Sequence, residues 1–259
     1  MMNMSQMNIS EEKISKLRRS QKVLVLTGAG ISKESGIPTF RGEDGLWKKL
    51  SPQELANFDS FYENPALVSE WYQHRRDIIE DVEPNAAHYA LVEMEKYYPD
   101  FTITTQNVDD LHNRAGSKQV LELHGNIMRN YCIECGQKFS PAEFQKLYSQ
   151  NGDHIPRCDQ CNGLIRPDVV WFGEQLPQKA LQKSFDKARQ CDLCFSIGTS
   201  AQVRPAADIP RIAAQKGAFI VEVNPNKTSL SSRADLSLKG KAGELLPALV
   251  DIIKKENGS

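Results

Sequence analysis

Lys22-Val-Leu-Val-Leu-Thr27 is a continuous apolar run closed by Gly28. A strand with one wet face would alternate apolar and polar residues. A run without alternation belongs inside a parallel sheet that is covered on both faces. Further runs of this kind follow at Phe101–Thr105, Leu193–Ile197 and Ala218–Val223, with Val169–Phe172 as a shorter candidate. Helical patterns lie between them, over Ala86–Lys96, Gln178–Gln190 and Ala206–Lys216. Buried strands alternating with amphipathic helices predict an α/β fold built on a doubly wound parallel sheet.

Two stretches break the alternation. Residues 43–84 hold helical patterns without a buried strand, and residues 129–165 are polar, rich in Cys and Gly, and short of core. Both are expected to form a smaller inserted module. The sheet domain is then 1–42 with 85–128 and 166–259, and the small one 43–84 with 129–165. Residues 11–19 read as a short basic helix on a solvated arm. Lys+Arg 32 against Asp+Glu 33 leaves a net charge of −1, so no global positive field invites nucleic acid. No apolar stretch reaches the ~18 residues of a membrane span. Met1–Ser20 carries no continuous apolar region of a secretory signal. A reducing cytoplasm is the expected setting, and there the six cysteines are metal ligands, thiols or core residues rather than disulfides.

Four of those cysteines are arranged for metal. Cys132-x-x-Cys135 and Cys158-x-x-Cys161 are separated by 22 residues. Each pair makes a knuckle, and two knuckles supply four thiolates for tetrahedral Zn²⁺. A closed shell of four leaves no position for water, so one structural zinc per chain is expected. Cys191-x-x-Cys194 has the same spacing, but Cys194 lies within an apolar run, and both residues are assigned to packing.

Gly28-Ala29-Gly30-Ile31-Ser32 follows the first strand directly, where glycine lets the backbone approach a pyrophosphate met by N–H groups. The dinucleotide fingerprint of dehydrogenases wants a third Gly at position 33, where Lys33 stands, so hydride transfer is not supported. The longer string, Gly28-Ala-Gly-Ile-Ser-Lys-Glu-Ser-Gly36-Ile-Pro38-Thr-Phe40-Arg41-Gly42, resembles the signature of the sirtuins, NAD-dependent protein deacylases. Thr105-Gln-Asn-Val-Asp109, His124-Gly-Asn126, Gly198-Thr-Ser200 and Asn224-Pro-Asn226 agree in order, so the resemblance runs from about Lys22 to Leu249.

The resemblance implies a Rossmann-like sheet, NAD as cofactor and a reaction in which the acyl oxygen of a modified lysine displaces nicotinamide from ribose. A base must then activate a ribose hydroxyl. Position alone favours a structural role for His124; the His-Gly-Asn match makes it the family's base, while His112 organises its loop. Asn107 and Asp109 would line the nicotinamide pocket with Val108, and Gln106 would contact ribose. An Asn/Asp turn capping the next helix is compatible with the same residues. Phe40 and Arg41 fall in the cofactor loop, with Trp47 counted among the cofactor-binding residues. Gly198, Thr199 and Ser200 would hold phosphate and ribose; Asn224, Pro225 and Asn226 the adenosine ribose; Ala242 would lie near adenine. Val170, Trp171, Phe172 and Val203 would form the walls of a groove for extended peptide, although residues 170–172 are equally compatible with a core strand.

Residues 66–80 carry the most informative departure from a plain deacetylase. At about 100° per residue Val68, Tyr72, Arg75 and Ile79 share one stripe, with Arg76, His74 and Glu80 outside it. An arginine within an apolar stripe needs a partner. One candidate is a carboxylate of the core. The other is the substrate, because Tyr72-x-x-Arg75 resembles the pair by which desuccinylating and demalonylating sirtuins recognise acidic acyl groups. The expected partners are thus acyl-lysine-bearing proteins or peptides, met by a monomer without nucleic acid or membrane. An NAD-dependent ADP-ribosyltransferase or an NAD-sensing module on the same fold is the rival.

Overall fold

The computed structural model describes residues 7, 9–39, 55–150, 152 and 155–254. Phe40, Arg41 and Trp47 lie outside the described residues. The described strands are β1 (Lys22–Thr27), β2 (Asp100–Thr105), β3 (Val120–Glu122), β4 (Gly125–Cys132), β5 (Lys138–Phe139), β6 (Ile165–Val169), β7 (Leu193–Ile197), β8 (Phe219–Val223) and β9 (Leu236–Leu238). The α-helices among the described residues are α1 (Glu11–Arg19), α2 (Phe58–Glu63), α3 (Pro65–Glu80), α4 (Ala86–Met94), α5 (Leu111–Ala115), α6 (Pro141–Gln150), α7 (Gln178–Gln190), α8 (Ile209–Gln215) and α9 (Ala242–Lys254).

Six strands form a parallel sheet in the order β3-β2-β1-β7-β8-β9. From β1 the chain winds outward through β2 and β3, then returns to β7 and winds the other way. The strand order therefore reverses between β1 and β7, and a crevice opens beyond their carboxyl ends. Val23 and Val25 face one core layer with α4 and α9, and Leu24 and Leu26 face the other with α8. That two-sided burial is why β1 reads as an unbroken apolar run.

The small sheet, β5-β4-β6, is antiparallel. Its strands begin at Gly125 and end at Val169, so they straddle positions 128/129 and 165/166. Three local expectations need correction. Val169–Phe172 is not a strand of the main sheet; the strand is β6, paired with β4. The pattern at Ala206–Lys216 divides into a 3-10 turn, Ala206–Asp208, and α8, which has Pro210 in its first turn. Finally, α1 is not a solvated arm. Its Ile14 and Leu17 are buried, Arg18 Nε donates to the Ile252 carbonyl at 2.9 Å, and Tyr98 donates to Leu17 O at 3.0 Å. Two apolar residues three apart give a stripe too narrow to stand out of a basic helix, yet wide enough to dock it.

Candidate active site

The loops after β1 and β7 are pressed together. Gly28 N–H donates to Ile197 O at 3.0 Å and Gly30 N–H to Gly198 O at 2.9 Å. A Cβ on Gly30 would lie 2.7 Å from Gly198 Cα, and one on Gly198, whose φ is +60°, would lie 2.5 Å from Ile31 N. No side chain fits at either position, and the same bare backbone leaves a cradle open to a phosphate. Thr199 joins two more loops, accepting from Gln106 Nε2 at 3.0 Å through its hydroxyl and from Asn224 Nδ2 at 2.9 Å through its carbonyl. Asn226 N–H donates to Asn224 Oδ1 at 3.0 Å, folding the Asn224–Asn226 turn back on itself. The ends of β1, β2, β7 and β8 thus share one hydrogen-bonded rim.

At the bottom of the crevice, Ser32 donates to Asp109 Oδ2 at 2.7 Å and accepts from Asn107 Nδ2 at 3.1 Å. All three side chains are buried. Asn107 Oδ1 is buried with no hydrogen-bond partner among the described residues, an acceptor left for something else. Burial pushes the Asp109 carboxyl above its ordinary value, opposed by the Ser32 hydroxyl, the Leu111 N–H and the Arg75 charge. Arg75, Ile37, Pro38, Ala29 and Val108 complete the lining of this pocket. These features fit a carboxamide-bearing dinucleotide: a phosphate cradle at one end and an unpaired amide acceptor at the other.

His124 stands half-buried just past β3. Its Nδ1 lies 2.9 Å from Gln106 O. A carbonyl only accepts, so Nδ1 carries the proton and the Nε2 lone pair is available. Nε2 has no hydrogen-bond partner among the described residues. Burial lowers the imidazole pKa, so the ring is neutral at neutral pH. A neutral, oriented imidazole has the chemistry a general base requires.

The four cysteines of the small module converge, their Sγ atoms all within 4.8 Å of one another. Cys132 Sγ and Cys161 Sγ are 3.4 Å apart, and Cys135 Sγ and Cys158 Sγ 3.7 Å. The knuckles close through Gly136 N–H to Cys132 O at 3.0 Å and Asn162 N–H to Cys158 O at 2.9 Å. Four thiols at this separation fit one tetrahedral Zn²⁺ with no open position.

Residues 28–205 match the Sir2 family. The chain belongs to that family. It is similar to a NAD-dependent protein deacylase of Aquifex aeolicus (strain VF5), 46% identical over 237 residues, covering 92% of this chain and 97% of the relative. Among solved structures it resembles a Sir2 homologue in complex with NAD, with TM-score 0.87 and 42% identity over 96% of this chain and 95% of that one. It also resembles a Sir2 complex with a p53 peptide and NAD⁺, with TM-score 0.83 and 34% identity over 93% of this chain and 97% of that one.

In this Sir2-family chain the segment after β6 is tied to residue 124: Val170 N–H donates to His124 O at 2.9 Å. Val170 and Val203 are half-buried and Phe172 is exposed. Trp171 is different. Only 2% exposed, it points into the small module, where its Nε1–H donates to the Tyr72 hydroxyl at 2.7 Å. Trp171 is therefore floor, not groove lining. Sequence reasoning missed what fixes that floor: the fully buried Arg166 stacks 3.3 Å from the Trp171 ring centroid and pairs with Glu174. Glu174 in turn accepts the Trp171 amide at 2.7 Å. The only local hint was an arginine followed eight residues later by an acid.

The stripe on α3 also needs correction. Val68, Tyr72, Arg75 and Ile79 are buried as expected, but so is Arg76. Its Nε donates to Ile127 O at 2.9 Å, its Nη2 to Asn130 Oδ1, and its guanidinium lies 4.2 Å from the Phe144 ring centroid. The helix is covered on two sides, by the sheet domain at Arg75 and by the zinc module at Arg76.

His112 and His88 form a buried pair with ring centroids 5.0 Å apart. His112 Nε2 lies 2.9 Å from Thr27 Oγ1, bracing the end of β1, while His88 Nδ1 accepts the Asn85 amide at 3.3 Å. Burial drives His88 down to about 4 and, with His88 beside it, His112 down to about 3. Between those values and the ordinary 6.5 the unfolded chain binds more protons, so stability is lost as pH falls through this window. Each histidine contributes up to about 1.4 kcal/mol per pH unit. In His88→Gln, which keeps an acceptor for the Asn85 amide, melting curves from pH 6.5 to 5 are expected to show a shallower loss than the parent. Equal slopes would exclude His88 as the source.

Proposed function

We propose that this chain is a NAD⁺-dependent protein-lysine deacylase that transfers the acyl group to ADP-ribose and releases nicotinamide. The observation that carries the reading is the neutral His124, its Nδ1 proton held by Gln106 O, beside the pocket of Ser32, Asn107 and Asp109. The pyrophosphate would rest on Gly28–Ser32 and Gly198–Ser200, the adenosine ribose on Asn224–Asn226, and the adenine near Ala242. Asn107 Oδ1 would accept from the nicotinamide carboxamide. Bound NAD⁺ supplies an anomeric carbon with nicotinamide as leaving group, and the lysine acyl oxygen is the nucleophile. His124 Nε2 would then take the proton of a ribose hydroxyl, which frees that oxygen to attack the acyl carbon; one water is consumed as the bond from that carbon to the lysine nitrogen breaks and the amine leaves. Val170, Phe172 and Val203 hold the peptide as an added strand. With the two-module division expected above, the cofactor would rest on the sheet domain and the acyl end against the small module. A reducing, cytoplasmic setting suits four free thiolates.

Incubation with NAD⁺ and acetyl- or succinyl-lysine peptides, followed by mass spectrometry, tests the reading. Free lysine peptide, nicotinamide and O-acyl-ADP-ribose in equal amounts are expected. An ADP-ribosylated protein product would point to the transferase instead, and binding without turnover to a sensor.

The acyl preference is a finer part of the proposal. Acidic acyl groups are read as accepted alongside acetyl, through Tyr72 and Arg75. Arg75 lies at the wall of the nicotinamide pocket with its guanidinium 4.8 Å from the Trp71 ring centroid, attracted by Asp109. The Tyr72 oxygen accepts from Trp171, so its own O–H remains a donor, and burial pushes that phenol up to about 12, well clear of ionisation. Arg75→Met is expected to lower desuccinylation roughly ten- to 150-fold, one or two charge-assisted hydrogen bonds, and to change deacetylation far less. A parallel fall in both activities with a lower melting temperature would assign Arg75 to Asp109 and the fold.

A further inference from the structure

The two ends of the crevice are joined by one short segment. Ser32 donates to Asp109 at its nicotinamide end. Two residues on, the Glu34 carboxylate reaches the first turn of α9, where Oε2 accepts the Gly243 N–H at 2.8 Å across 209 positions of sequence. A Cβ on residue 243 would sit 2.9 Å from Glu34 Oε1, so glycine there lets the carboxylate lie flat on the helix end. The same segment is gripped from its other side by Asn85 Nδ2, which donates to Ile31 O at 2.8 Å and Ser35 Oγ at 2.9 Å. Glu34 is exposed, and neither core packing nor a salt bridge among the described residues accounts for its placement.

We infer that Glu34 is a positioning residue for the adenosine half of the cofactor. The inference rests on the cofactor reading above, in which the backbone around Ala242 packs near adenine. Glu34 holds that helix end against the glycine turn and so sets the distance between the two walls.

Direct calorimetric titration with ADP-ribose, which needs no turnover, tests this alongside steady-state kinetics. Glu34→Ala is expected to weaken ADP-ribose binding and raise the KM for NAD⁺ about three- to tenfold, less than the full worth of a charge-assisted hydrogen bond because Glu34 is exposed and acts on the cofactor only through the helix end. The KM for acyl peptide and the turnover at saturating NAD⁺ should move less than about twofold, as expected when only uniform binding is lost. Glu34→Gln, whose amide oxygen still accepts the Gly243 N–H, should recover most of the affinity. ADP-ribose affinity unchanged in Glu34→Ala would overturn the inference. So would a fall in turnover that tracks a lowered melting temperature, because that marks a structural role alone. If the parent protein bound no ADP-ribose, the cofactor reading itself would fail.

Discussion

His124→Ala is expected to cut deacylation by about 10²- to 10⁴-fold while the protein stays folded and still binds NAD⁺. The ring's one hydrogen bond among the described residues is from Nδ1 to Gln106 O, and the Val170 amide is held by the backbone carbonyl of residue 124, which alanine keeps. Truncation therefore removes the Nε2 lone pair without unpinning the segment at Val170. The pH profile carries the same signature. Burial lowers the His124 pKa, so the acidic limb of kcat/KM should fall below the ordinary imidazole value and disappear in the variant. Near-parental turnover in His124→Ala would reassign the residue as structural. His112 would be a poor substitute base, because its Nε2 contacts Thr27 Oγ1 and its imidazole is buried.

Zinc removal should be as costly by a different route. One Zn²⁺ per chain is expected on metal analysis, and a strong chelator should abolish activity as the ion is lost. The module has little else to hold it. Beside Cys132 and Cys158, its buried core is Phe139, Phe144 and Ile165. The loss should reach the active site, because β4 continues from the Gly125 that follows His124 and pairs with β6, whose end leads into Val170. Arg76 extends the path to α3, since its partners Ile127 and Asn130 lie on β4, the strand that carries Cys132, and Phe144 lies in the module's core. Cys132→Ala should therefore lose zinc, small-module order and deacylation together. Cys194→Ala should keep zinc and most activity, because Cys194 is buried in β7 away from the metal cluster. Freshly purified protein without zinc, or a Cys194 variant as damaged as the Cys132 one, would remove the basis for this assignment.

What could be read from the chain was what short stretches encode. Burial on both faces leaves an unbroken run such as Val23–Leu26, a knuckle needs two cysteines three apart, and strand-end polar residues such as Asn107, Asp109 and Thr199 follow their strands directly. Each signal spans a few residues and survives wherever the segment lands. Other features were invisible for the opposite reason. That Arg76 is as buried as Arg75, that Trp171 faces inward onto Tyr72 and that α1 docks onto α9 each depend on partners tens to hundreds of positions away. The glycines at 28 and 30 were legible as a tight turn after a strand, but only the folded chain shows that they and Gly198 make room for each other. Sequence periodicity reports which side of an element is buried on average. It does not name the surface that buries it, and a charged residue at the seam between two such surfaces is decided by tertiary contact alone.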